Sequence, residues 1–97
     1  MLVDLAQDGN SGAIESLIKE VQDPIYAMAV KMLYSISDAE DASQEILIKI
    51  ITRLSSFKKE SSFFTWAMKV AVNHLLNKRK RFEKKQFTFQ SCEDMIV

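Results

Sequence analysis

Glycine and proline are scarce in this 97-residue chain, with two of the first and one of the second. A β-sandwich or barrel needs a turn between every pair of short strands. That class is therefore set aside, and an all-α fold, a small bundle of about four helices, is expected. A single cysteine excludes an intrachain disulfide, and one cysteine with one histidine cannot furnish a Cys/His zinc site. This usage points to a reducing, cytoplasmic compartment. No apolar run approaches the roughly 18 residues that span a membrane, and the N-terminus lacks a signal-peptide pattern. There is no glycine-rich phosphate loop and no pair of carboxylates forced together. An enzyme is not expected, nor a metal, a cofactor or a small-molecule ligand. What is present is 47% apolar and 27% charged residues, proportions that can build one compact core and argue against disorder.

Net charge is zero, with 13 bases and 13 acids, but the average conceals a sharp division. Residues 1–48 hold two bases, Lys19 and Lys31, against nine acids. Residues 49–85 hold eleven bases against two acids, Glu60 and Glu83. An asymmetry of this kind suggests two partners of opposite charge, the basic half facing nucleic acid. The alternative is a merely uneven surface.

The periodicity resolves into helical segments. Residues 3–8 read as a short helical turn ended by Asp8-Gly9-Asn10. A second segment runs from about Ser11 to Gln22 with Ala13, Ile14, Leu17, Ile18 and Val21 on its apolar side. Asp23-Pro24 reads as an N-cap and first helical position, starting a third segment to about Ser35. Ser37 and Glu40 fit a capping box that opens a fourth segment, Asp38 to about Leu54. Its inner face is Ala39, Ser43, Ile46, Ile50 and Leu54. Ser55–Glu60 is a polar loop containing Phe57. Ser61 or Ser62 caps the last helix, which runs to Lys80 or beyond. Phe87 and Phe89 alternate with polar residues in the tail.

Two helix faces carry more than packing requires. At about 100° per residue, Asp41, Gln44, Glu45, Ile48, Thr52 and Ser55 form one stripe opposite the core stripe of the fourth segment. It reads as a docking face with Ile48 as anchor and acids for a basic partner; a solvated face with one stray isoleucine is the plainer alternative. On the last helix, Phe63, Ala67, Val70, Ala71 and Leu75 face the bundle. Ser62, Trp66, Lys69, Asn73, Asn77 and Lys80 form a separate stripe. Lysines meet phosphates, asparagines pair with base edges, and an aromatic can stack on an unpaired base. The stripe continues into Lys78-Arg79-Lys80-Arg81, a phosphate track. Against this stands a tryptophan that bends sideways into a satellite core under the loop.

Three stretches together resemble region 2 of bacterial RNA polymerase sigma factors, of the extracytoplasmic-function class. They are Asp38-Ala39-Glu40-Asp41-Ala42-Ser43-Gln44-Glu45; Phe57 followed by Phe63-Phe64-Thr65-Trp66; and Val70-Ala71-Val72-Asn73. The resemblance covers about Ala6 to Arg81. It implies a four-helix domain at 1–85, with residues 86–97 starting an interdomain linker or a disordered tail. It further implies that Asp41, Gln44, Glu45 and Ile48 contact the clamp-helix coiled coil of the polymerase largest subunit. Phe57, Lys58, Lys59, Ser61, Trp66, Lys69, Asn73, Asn77, Lys78, Arg79, Lys80 and Arg81 then meet promoter DNA. The resemblance implies recognition and melting of the minus-ten element, with a base of the non-template strand flipped into a pocket of the 57–63 loop. An anti-sigma partner is implied, and no membrane. The chain departs from the pattern at Lys58-Lys59-Glu60, where many members carry Arg-Gly-Asp; loop shape and base preference are what this departure bears on. The minus-thirty-five-reading domain usual in the family is not among these 97 residues, as in a truncated piece or a single-domain regulator. The competing reading is a helical protein-interaction module whose basic helix binds nucleic acid without sequence preference.

Overall fold

A computed structural model of the chain describes the backbone of residues 2–96 and the side chains of residues 2–80. Four α-helices and a single 3-10 turn account for it, with no strand among the described residues. They are α1 (Leu2–Gln7), α2 (Ser11–Leu33), α3 (Ile36–Arg53), the 3-10 turn Leu54–Ser56, and α4 (Phe63–Ile96). The expected all-α bundle is what the chain forms. Helix α2 is the hub and packs against α1, α3 and α4, while α3 also packs against α4.

The turn between α1 and α2 is built where the sequence places it. Gly9 takes φ +92, a conformation an L side chain rarely adopts. Asn10 then caps α2, its side-chain oxygen accepting from the Ala13 N–H at 2.9 Å. The expected break at Asp23-Pro24 is absent, and one helix continues through Pro24 to Leu33. Proline withholds a backbone donor and disfavours a helix interior. Here burial wins: Ala13, Leu17, Val21, Ile25 and Ala29 form an unbroken i, i+4 row, each at most 4% exposed. Breaking the rod at residue 24 would split that seam.

The start of α3 also differs from expectation. Tyr34 adopts the left-handed conformation, φ 56, and its N–H donates to the Val30 carbonyl. The chain reverses there, so extended Ser35 is the cap, accepting from the Asp38 N–H at 3.2 Å. Ser37 falls inside the first turn. The signal was present, since Ser35 with Asp38 repeats the hydroxyl-to-acid spacing of Ser37 with Glu40.

The inner face of α3 is as expected: Ala39, Ser43, Ile46, Ile50 and Leu54 are all buried, with Ala42 beside them. Facing them from α4 are Phe63, Ala67, Ala71 and Leu75. Burying a side chain such as Ile25, Ile46, Ile50 or Leu75 contributes about 1.5–3 kcal/mol. Ser62 caps α4, its hydroxyl accepting from the Thr65 N–H at 3.1 Å and donating to Thr65 Oγ1 at 2.9 Å. Helix α4 crosses residues 85 and 86 without a break.

Candidate functional site

The bundle turns two different surfaces outward. On α3, Asp41, Gln44, Ile48 and Thr52 are exposed along one side, with Ser55 exposed in the 3-10 turn that follows. Ile48 is 61% exposed, an apolar side chain set among these polar neighbours. Ile51, 43% exposed and three residues on, extends the apolar anchor. The sequence reading missed it, although the i, i+3 spacing from Ile48 was visible.

Glu45 sits in this acidic stretch but is not free of the fold. His74 Nε2 donates to Glu45 Oε2 at 2.8 Å, and Lys78 Nζ reaches the same oxygen at 3.5 Å. The carboxylate therefore ties α3 to α4. Burial pushes the Glu45 carboxyl up, but the His74 hydrogen bond and the Lys78 and His74 charges pull it further, leaving it below its ordinary value. Burial pushes the His74 imidazole down, more than its Glu45 hydrogen bond raises it, and the Lys49 and Lys78 charges push the same way. The contact joins the His74 ring nitrogen to the Glu45 carboxylate, which accepts the hydrogen bond.

Both shifts have one consequence for stability. A depressed histidine favours the fold fully above the ordinary imidazole range, so protonation of the unfolded chain begins to erode stability below about pH 6.5. A depressed glutamate adds a second loss as pH falls through the carboxylate range. The melting temperature should fall on acidification from pH 7.5 to 5. In His74→Gln that part of the pH dependence should flatten; an unchanged profile in thermal melts of the variant removes His74 from the account.

The second surface begins at the loop before α4. Three aromatic rings cluster there: Phe57 to Phe63 at 6.2 Å between centroids, Phe57 to Trp66 at 5.0 Å, and Phe63 to Trp66 at 5.9 Å. Phe57, expected at the DNA surface, is instead in the core at 6% exposure. What it can offer a base is support from beneath. Trp66 is partly buried and rests on it. The sideways-packed alternative is therefore partly what the fold contains, with one side of the indole on the core and the remainder outward. Lys58, Lys59 and Ser61 are exposed in the loop. Lys59 takes φ 61, the left-handed conformation that a glycine would adopt readily and a lysine seldom does.

Along α4, Lys69, Asn73, Asn77 and Lys80 are exposed, as the stripe predicts. Lys69 and Asn73 border a shallow apolar groove formed with Phe64, Thr65, Met68 and Val72. Lys78 departs from the expected phosphate track: it is half-buried and turned to Glu45. Arg79 is half-buried as well. The side chain of Arg81 lies outside the described residues, as do those of the expected linker 86–97. Among the described residues no group of three metal-capable side chains occurs, and no helix is long and apolar enough to cross a membrane.

Comparison with known proteins gives the family. The family model for Sigma-70 region 2 matches residues 17–86. The RNA polymerase sigma-H factor of Pseudomonas aeruginosa is 29% identical over 95% of this chain and 50% of its own length. The ECF RNA polymerase sigma-E factor of Haemophilus influenzae is 33% identical over 78% of this chain and 40% of its own. The ECF RNA polymerase sigma factor SigW of Bacillus subtilis is 27% identical over 75% of this chain and 39% of its own. The chain thus spans about half the length of these relatives, or less. No solved structure gives a significant match. A match over most of the bundle, carried by relatives of the extracytoplasmic-function class, makes this chain a member of the Sigma-70 region 2 family.

Proposed function

We propose that the chain is a transcription-initiation module that docks on RNA polymerase through α3 and handles the promoter minus-ten element through the 57–62 loop and α4. The observation that carries this is the division of character between adjacent helices. An acidic and amide surface with exposed Ile48 lies on α3, and an aromatic-headed Lys69/Asn73/Asn77/Lys80 stripe lies on α4. The clamp-helix coiled coil of the largest subunit is the proposed protein partner, contacted by Asp41, Gln44, Ile48 and the outward part of Glu45. The DNA partner is the non-template strand, with Trp66 at the junction of duplex and single strand. Flipping a base out of the stack costs a few kcal/mol, which a preformed surface must offset. The polymerase supplies the chemistry, so the module itself needs no catalytic group. An anti-sigma factor binding this domain, a cytoplasmic setting and a linker beginning at residue 86 belong to the same proposal.

One observation favours a second reading. The packing of Trp66 on Phe57 leaves less indole for a base, as in a basic helix that binds nucleic acid without preference. Sequence dependence separates the two. Labelled single-stranded decanucleotides differing at one base should bind the module with affinities at least several-fold apart; a generic basic helix should treat them alike. Replacing Lys69 and Lys80 by Ala should weaken all sequences equally and reduce the slope of log affinity against log salt by about 1.4, or 0.7 per lost single-strand phosphate contact. An unchanged slope removes both lysines from the DNA surface.

A further inference from the structure

The family match begins at residue 17, so α1 lies outside it. Nevertheless α1 is bonded to the loop on which DNA reading depends. The Gln7 amide donates to two backbone carbonyls about fifty residues away, Leu54 at 3.1 Å and Phe57 at 3.0 Å. One turn earlier on α1, Asp4 forms an ion pair with Lys59, the loop residue in the left-handed conformation. We propose that Gln7 is a positioning residue for base selection: it fixes the path of the 54–59 segment, and through Phe57 it sets the support on which Trp66 rests.

The chemistry of the side chain makes the argument. A primary amide has two N–H donors at a fixed separation, and both are used here on different carbonyls. The Leu54 carbonyl also accepts the Phe57 N–H at 3.1 Å, closing the 3-10 turn, so the Gln7 amide bonds to a turn that is already formed and joins its two ends to α1. A fork of this kind admits one loop geometry, whereas a single hydrogen bond allows rotation about its axis. From the Phe57 carbonyl the constraint passes to the Phe57 ring, and from that ring to Trp66 at 5.0 Å. Asp4 adds a second tie at the far side of the loop, its carboxylate pairing with Lys59, whose backbone takes a conformation that lysine seldom adopts.

This inference rests on the reading of the loop as a base-selecting element, and its test separates the two. In the 97-residue chain, Gln7→Leu keeps the volume and removes both donors. Ala6, 3% exposed, still anchors α1 in the core. Anisotropy is measured with decanucleotides differing at one base and with oligo(dT), alongside a thermal melt. Gln7→Leu should reduce the preferred-to-other affinity ratio at least fivefold, while oligo(dT) binding stays within twofold. Gln7→Glu, which keeps the shape but replaces donors by acceptors, should behave the same way. A variant with the wild-type ratio overturns the proposal. So does a uniform loss on every oligonucleotide that tracks a falling melting temperature, because Gln7 would then serve stability alone. If the wild-type chain shows no base preference, the reading of the loop fails first, and that failure is visible without any variant.

Discussion

Ile48→Glu combined with Asp41→Lys should lower affinity for the clamp-helix coiled coil by about 100-fold, while the melting temperature stays within a few degrees of wild type. The magnitude follows from the kind of residue involved. A large apolar side chain at the centre of a docking surface typically costs 2–4 kcal/mol when lost, and each 1.4 kcal/mol is about tenfold. Glutamate at residue 48 adds an unpaired charge to a surface that is already acidic. Stability is spared because both positions are exposed, Ile48 at 61%, and neither side chain packs in the core. Glu45 is deliberately left alone. Its carboxylate holds His74 and Lys78, so a change there would shift α4 as well as the docking face. Titration of the labelled coiled coil from a polymerase largest subunit provides the measurement. Wild-type affinity in the double variant would remove α3 as the docking element.

Trp66→Ala should weaken binding to forked and single-stranded DNA by about tenfold or more, the value of one base–aromatic stack. It should also destabilise the fold. The indole lies 5.0 Å from Phe57 and 5.9 Å from Phe63, and removing a buried aromatic costs about 3–5 kcal/mol. Partial burial brings this to about 2 kcal/mol, or a melting temperature lower by about 8–16 °C for a chain of this size. The two effects need separating, and Trp66→Phe does so. Phenylalanine keeps a ring on Phe57 and should restore most of the stability, yet it presents a smaller face to a base and should recover only part of the DNA affinity. Clamp-helix binding should be retained in both. If Trp66→Phe and Trp66→Ala, measured well below their melting temperatures, bind forked DNA as the wild type does, the tryptophan is a core residue only.

What the sequence makes legible follows from how local each determinant is. The core seam of α3, from Ala39 to Leu54, and the exposed stripe of α4, from Lys69 to Lys80, are periodic patterns, and the helix geometry realises them directly. The cap at Asn10 and the turn at Gly9 are also local. Pro24 misleads because a local breaking signal is outweighed by burial of Val21 and Ile25 on α2. Ser35 is missed because two serines carry the same spacing signal, and only the left-handed Tyr34 decides between them. Phe57 is expected at the DNA surface and Lys78 in the phosphate track, and the structure turns both inward instead. Periodicity states which way a side chain points but not what it meets, and these two meet Trp66 and Glu45. The fork of Gln7 leaves no trace in the sequence, because its partners are main-chain carbonyls and those are the same whatever residues carry them.

Helix α4 also acts as a ruler. Trp66 and Lys80 stand on one uninterrupted rod, and at 1.5 Å per residue the distance between them is about 21 Å. That matches about six nucleotides of a strand at 3.4 Å each. On the proposed reading, the span of DNA that the cationic groups follow from the aromatic head is set by the number of residues between them. A single inserted residue between positions 66 and 80 would swing every group beyond it about 100° around the axis. The rod would stay whole, but its far end would lose alignment with the strand.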